Sequence, residues 1–143
     1  MSLKNSSEEE NLFSRKPYLR LYNLKSEVQS QTFLREAKNP GEFYLEWNGK
    51  PLASVISPKK QAERLYNEKK IKEYHLVIVL GTGNPHILSM IDTNMRDGQI
   101  FLIIDKNLEI VTALWEQFLF PLLQNAGRHL FAGESTLSLL YNY

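Results

Sequence analysis

The strongest constraint on the fold is "YHLVIVLGTGNPHIL", residues 74–88, followed by "QIFLIID", residues 99–105. A β-branched run stops at Gly81-Thr82-Gly83, and a helical pattern begins at Asn84-Pro85. Two such strands joined through a helix have to pair in parallel, because a crossover is the connection that leaves room for the helix. Runs this uniformly Val, Ile and Leu are expected to be strands buried on both faces.

The pattern then repeats. Ile87, Leu88, Ile91 and Met95 mark one side of a helix over 84–96, which Asp97-Gly98 ends. A second helix over 107–120 starts at Asn107, carries Glu109 in its first turn and turns Leu108, Val111, Leu114, Trp115 and Phe118 inward. Pro121 is expected to kink or end it, since proline lacks the N–H and collides with the preceding turn. "RHLFAG" reads as a third short strand, and Glu134-Ser135 as the start of a last helical turn. Right-handed crossovers then put strands 75–80, 99–105 and 128–132 in the order 3-2-1, one half of a doubly wound sheet. The fold class is α/β, with a Rossmann-like half domain over 57–143.

Upstream, "TFLREAK", "EFYLEWN" and "PLASVIS" are extended runs separated by Asn39-Pro40-Gly41 and Asn48-Gly49. Phe43, Leu45 and Trp47 alternate with Tyr44 and Glu46, the period of a half-buried strand. Asn-Gly suits a type I′ hairpin turn, which needs positive φ at both central positions. These features predict an antiparallel β-meander within 17–56, with Pro51 at an edge. Ser57-Pro58, a hydroxyl N-cap followed by proline, opens the helix that leads into the first core strand. Residues 1–16 are polar, with only Leu12 and Phe13 as apolar anchors, and are expected to be disordered.

Several function classes drop out on composition. A net charge of +1 gives no field for nucleic acid or a membrane surface. Lys59, Lys60, Lys69, Lys70 and Lys72 interleave with Glu63, Glu68 and Glu73, as on a solvated helix face. No cysteine is present, so disulfides, thiolate zinc sites and thiol nucleophiles are excluded. His75, His86 and His129 have no metal-binding spacing. No apolar stretch approaches the ~20 residues that span a bilayer, and the polar N-terminus is no secretory signal. The expected setting is cytoplasmic.

The candidate site is Gly81, Thr82, Gly83, Asn84, His86 and Asp105. Glycine lets backbone approach a phosphate or ribose, and the following helix presents free N–H groups. Asp105 stands about 20 residues beyond Gly83, where such folds place the acid that grips a ribose diol. The third glycine of G-x-G-x-x-G would fall at His86, and no G-K-[ST] follows. The structural alternatives stay open: a tight turn at Gly81 and Gly83, a strand-end cap at Asp105 with Asn107, and a surface or capping role for His86.

Together, "GKPLASVISPKKQAERL", "VIVLGTGNPHIL" and "IFLIIDKNLEIVTAL" resemble the N-terminal domain of motility-associated factor proteins, bacterial flagellin glycosyltransferases of the sialyltransferase-like group. Ser54, Pro58, Ala62, Glu63 and Arg64 match its first block, Gly81 and Gly83 its second, and Asp105, Leu108 and Glu109 its third. The likeness covers residues 33–125. It departs at Ser57, at Pro85-His86 and at Asp105-Lys106. The resemblance implies a domain that supports sugar-nucleotide chemistry or positions flagellin, with transfer carried out by a larger downstream domain; this chain alone is expected not to catalyse it. A nucleotide sugar is then the candidate ligand. The competing readings are a reduced methyltransferase-like fold binding S-adenosylmethionine through Gly81, Gly83 and Asp105, and an assembly module with an empty crevice. The first core strand has an apolar edge that needs cover. A nearby meander and a homodimer burying Trp115 or Phe118 are expected to supply it.

Overall fold

The computed structural model describes residues 3–21 and 31–133. It is α/β, with one antiparallel and one parallel three-stranded sheet. The expected helical turn at Glu134-Ser135 lies outside the described residues.

The antiparallel sheet is the meander. β1 (Thr32–Glu36) pairs with β2 (Phe43–Trp47), and β2 with the two-residue β3 (Lys50–Pro51). Asn48 and Gly49 both take positive φ, 50° and 79°, as a type I′ turn requires. Pro51 closes the last rung, and the chain leaves for α2 (Pro58–Glu68), where the Ser57 hydroxyl accepts the Lys60 N–H at 3.3 Å. Leu45 is fully buried, and the meander packs on the helical layer.

The parallel sheet has the order β4 (Leu76–Leu80), β5 (Ile100–Asp105), β6 (Arg128–Ala132). α3 (Pro85–Thr93) connects the first two strands, ending three residues short of the expected Arg96 because Asn94 caps it. α4 (Leu108–Leu114), a π-helical turn (Trp115–Leu119) and α5 (Phe120–Leu123) connect the last two. The helical run therefore passes through Pro121 instead of stopping before it. In the widened turn the Phe120 N–H bonds to Trp115 O, five residues back. This shift in the hydrogen-bond pattern relieves the clash that proline's ring makes in a regular α-turn.

Phe101, Ile103, Leu130 and Ala132 form the covered face of the sheet, packed with Leu88, Ile91, Val111, Leu114, Leu119 and Leu123. Each large aliphatic side chain buried this way contributes about 1.5–3 kcal/mol. Trp115 and Phe118 belong to the same core, 3% and 9% exposed, so they are not surface residues that a second copy could bury.

Two expectations need correcting. Residues 1–16 are expected to be disordered, yet α1 (Leu3–Arg15) is helical. A helix of that length is marginal alone, but docking holds it: Leu12 is fully buried and Phe13 stacks on Trp115, with ring centroids 6.4 Å apart. Arg15 donates to Gln124 O at 2.7 Å, and the Lys16 ammonium donates to Leu123 O, Asn125 O and Arg128 O at 2.6, 3.0 and 2.5 Å. The core strands are also not buried on both faces. Leu76, Ile78, Leu80 and Ile100 are 50%, 48%, 77% and 46% exposed. Both crossovers run over one side, and on the other a 3-10 turn (Pro17–Leu21) reaches β6, where Tyr18 stacks on Phe131.

Candidate functional site

The glycine turn is built from β4 outward. Gly81 takes φ +86° and donates its N–H to Ile104 O at 2.7 Å, which keeps the turn tied to β5. Thr82, 1% exposed, points back into the fold. Its N–H and its hydroxyl both donate to Asp105 Oδ2, at 3.0 and 2.7 Å. The other carboxylate oxygen, Oδ1, accepts the Asn107 N–H at 2.9 Å, and Asn107 Oδ1 in turn caps α4 through the Glu109 N–H. Asp105 is 6% exposed. Both its oxygens are thus engaged by the protein, and the acid works as a clasp between the ends of β4 and β5.

Gly83 has a neighbour as well. A Cβ there would lie 3.4 Å from the Leu52 carbonyl oxygen and 3.5 Å from its Cβ. The loop leaving the meander therefore lies against the turn, on the surface a phosphate would approach. Asn84 Oδ1 accepts the His86 N–H at 3.0 Å and caps α3, while Nδ2 donates to Pro58 O at 2.9 Å and fastens the turn to α2. Of the residues picked from sequence, Thr82 and Asp105 touch each other, Asn84 and His86 form a cap, Gly81 is exposed, and Gly83 lies under Leu52.

His86 faces a different space. Its Nε2 accepts the Phe43 N–H at 2.8 Å, and its ring meets Phe118 edge-on at 5.7 Å. With Nε2 an acceptor, the neutral ring carries its proton on Nδ1. The ring lines an open cleft of about 540 Å³ with Pro40, Gly41, Glu42, Lys59, Ser89 and Thr93. Burial lowers the His86 pKa, and Lys59 adds to that while Glu42 opposes it. Burial would raise the Glu42 carboxyl, but the Lys59 N–H and the Ser57 hydroxyl, each 2.9 Å from Oε1, hold it below the usual carboxylate range. The sequence reading missed Glu42, Lys59, Ser89 and Thr93. Ser89 and Thr93 could have been grouped with His86 by helical spacing, but nothing in the sequence ties Glu42 to them. The cleft offers hydrogen-bonding groups of both kinds to a small polar molecule.

Protonating His86 forfeits the Phe43 bond, so the fold favours the neutral ring. His129 is shifted the same way, by burial and by Lys16. A histidine depressed in the folded state adds stability above its unfolded pKa, about 6.5, and that stability is lost as pH falls through the folded value. Thermal unfolding is expected at lower temperature at pH ~5 than at pH ~7.5, with a shallower dependence in His86→Gln. An unchanged dependence in that variant would remove His86 as a source.

Among the described residues no group of His, Asp and Glu could hold a metal ion, and no helix is long and apolar enough to cross a membrane. Comparison with protein-family models, curated proteins and solved structures returned no match.

Proposed function

We propose that this chain is a non-catalytic, Rossmann-like half domain acting as an assembly module, of the kind that accompanies flagellin-modifying glycosyltransferases. The resemblance of the sequence blocks supplies the biological setting, and the state of the glycine turn supplies the choice of role. The observation that carries it is the Thr82–Asp105–Asn107 clasp with Leu52 against Gly83. A ribose diol would need to reach a carboxylate that is 6% exposed and already accepts three hydrogen bonds from Thr82 and Asn107, and a phosphate would need the surface that Leu52 occupies. The parallel strands, read as the first half of a doubly wound sheet, then serve as a scaffold.

Thermal-shift titration with CMP-linked sugars and with S-adenosylmethionine tests this reading. A ligand present at about 100 times its dissociation constant stabilises the folded state by about 2.7 kcal/mol, which is readily seen as a higher melting temperature. No shift with either ligand at millimolar concentration is expected. A saturable rise with a CMP-linked sugar would restore the nucleotide-sugar site, and one with S-adenosylmethionine would favour the methyltransferase-like reading instead.

A further inference from the structure

The two edges of the parallel sheet are treated differently. At the β6 edge, the Leu130 N–H donates to the Tyr18 hydroxyl at 3.2 Å and Arg128 O accepts from Lys16 at 2.5 Å, so the N-terminal segment covers it. The β4 edge has no partner strand among the described residues. Ile100 N–H bonds to His75 O and Gly81 N–H to Ile104 O. In a parallel ladder this alternation aims the backbone groups of the odd-numbered residues at β5 and those of Leu76, Ile78 and Leu80 outward. The same three residues carry the exposed aliphatic side chains.

β4 reads Leu76-Val77-Ile78-Val79-Leu80, which is the same in both directions. We infer that β4 pairs antiparallel with β4 of a second copy, about a two-fold axis through Ile78 perpendicular to the sheet. In that register Leu76 faces the partner's Leu80, and Ile78 faces its own equivalent. Each of the outward residues then donates one backbone bond and accepts one across the axis, so no group on the edge is left over. Residues on opposite strands share a face, so the leucines and isoleucines of the open side meet as pairs and the helical layers stay together on the other side. Residues 74–82 contain no Asp, Glu, Lys or Arg, and the exposed His75 falls opposite Gly81. Nothing in the register sets like charges against each other. An uninterrupted aliphatic edge without such guard residues is the kind that natural proteins pair or cover, and a closed two-fold contact pairs it without propagating. This inference rests on the sheet and not on the functional reading above: a monomer would leave the ligand titrations unaffected, and a bound nucleotide sugar would leave the edge as it is.

The absence of cysteine makes the test direct. Light scattering on the unmodified chain at about 100 µM is expected to give a dimer, since a dissociation constant of about 10 µM already suffices for mostly paired chains. Ile78→Lys and Ile78→Glu, each setting like charges on the axis, are expected to be monomers with unchanged circular dichroism, and an equimolar mixture is expected to form a heterodimer. Under mild oxidation Ile78→Cys is expected to cross-link to itself, because paired strand residues lie within about 5.5 Å and a disulfide spans that distance. Leu102→Cys is expected not to, because it lies one strand further in on each copy, about 14 Å from its equivalent. A monomer at that concentration, a mixture that stays monomeric while both variants are folded, or equal cross-linking at 78 and 102 would overturn the inference. The last result would indicate face-to-face packing. Should either charged variant fail to fold, the comparison of the two cysteine variants decides alone.

Discussion

Asp105→Ala is expected to lower the unfolding free energy by about 3–5 kcal/mol, the largest loss of any single side-chain replacement in the turn. The carboxylate accepts the Thr82 N–H, the Thr82 hydroxyl and the Asn107 N–H in a buried setting. Truncation leaves those donors without an acceptor, and each buried orphan costs about 1–3 kcal/mol, less than additively. Thr82→Val removes one of the bonds with little change of shape and should cost about 1 kcal/mol. Urea denaturation followed by the fluorescence of buried Trp115 measures both. A loss under about 1 kcal/mol for Asp105→Ala would mean that the clasp does not hold the turn, and the case for a closed site would fall with it.

Lys16→Met is expected to cost about 2–4 kcal/mol and to release α1 to proteolysis while the sheet still unfolds cooperatively. Methionine keeps the length of the side chain, but Leu123 O, Asn125 O and Arg128 O lose their common donor. The pH dependence gives a separate signature. Burial, with the Arg15 and Arg128 guanidiniums nearby, lowers Lys16 to about 8. Between that value and the unfolded one, about 10.5, the folded chain binds fewer protons than the unfolded chain, so stability rises with pH across the window. In Lys16→Met this contribution should be gone. A variant as stable and as protease-resistant as the original would show that α1 is held by Leu12 and Phe13 alone.

Local signals were legible wherever a residue type answers a local backbone need. Asn48-Gly49 gave the hairpin, and Ser57-Pro58 and Asn84-Pro85 gave two helix starts at their observed positions. What a residue faces was less legible. Leu76 to Leu80 looks the same whether one side of the sheet or both are covered, because aliphatic strands carry no mark of which neighbour is missing. α1 escaped because its stability comes from Lys16 and Arg15 reaching carbonyls more than 100 residues away, and no window along the chain contains both partners. Asp105 stands at the end of a strand, where the sequence leaves a ribose grip and an internal cap both open. The structure gives it the cap with Asn107 and adds Thr82, whose position between two glycines had suggested a ligand turn.

The docking of α1 also sets a timetable for synthesis. Its anchors, Leu12, Phe13, Arg15 and Lys16, are made early, whereas the stretch from Trp115 to Arg128 that receives them is made late. At about 5–20 residues per second, the ribosome leaves the helix without its seat for roughly 5–20 s. During that interval Leu12 and Phe13 are open to any apolar surface nearby, including the emerging edge of β4. Docking of this segment therefore comes late in the order of folding, and an N-terminal fusion that delays α1 should slow maturation more than it lowers the stability finally reached.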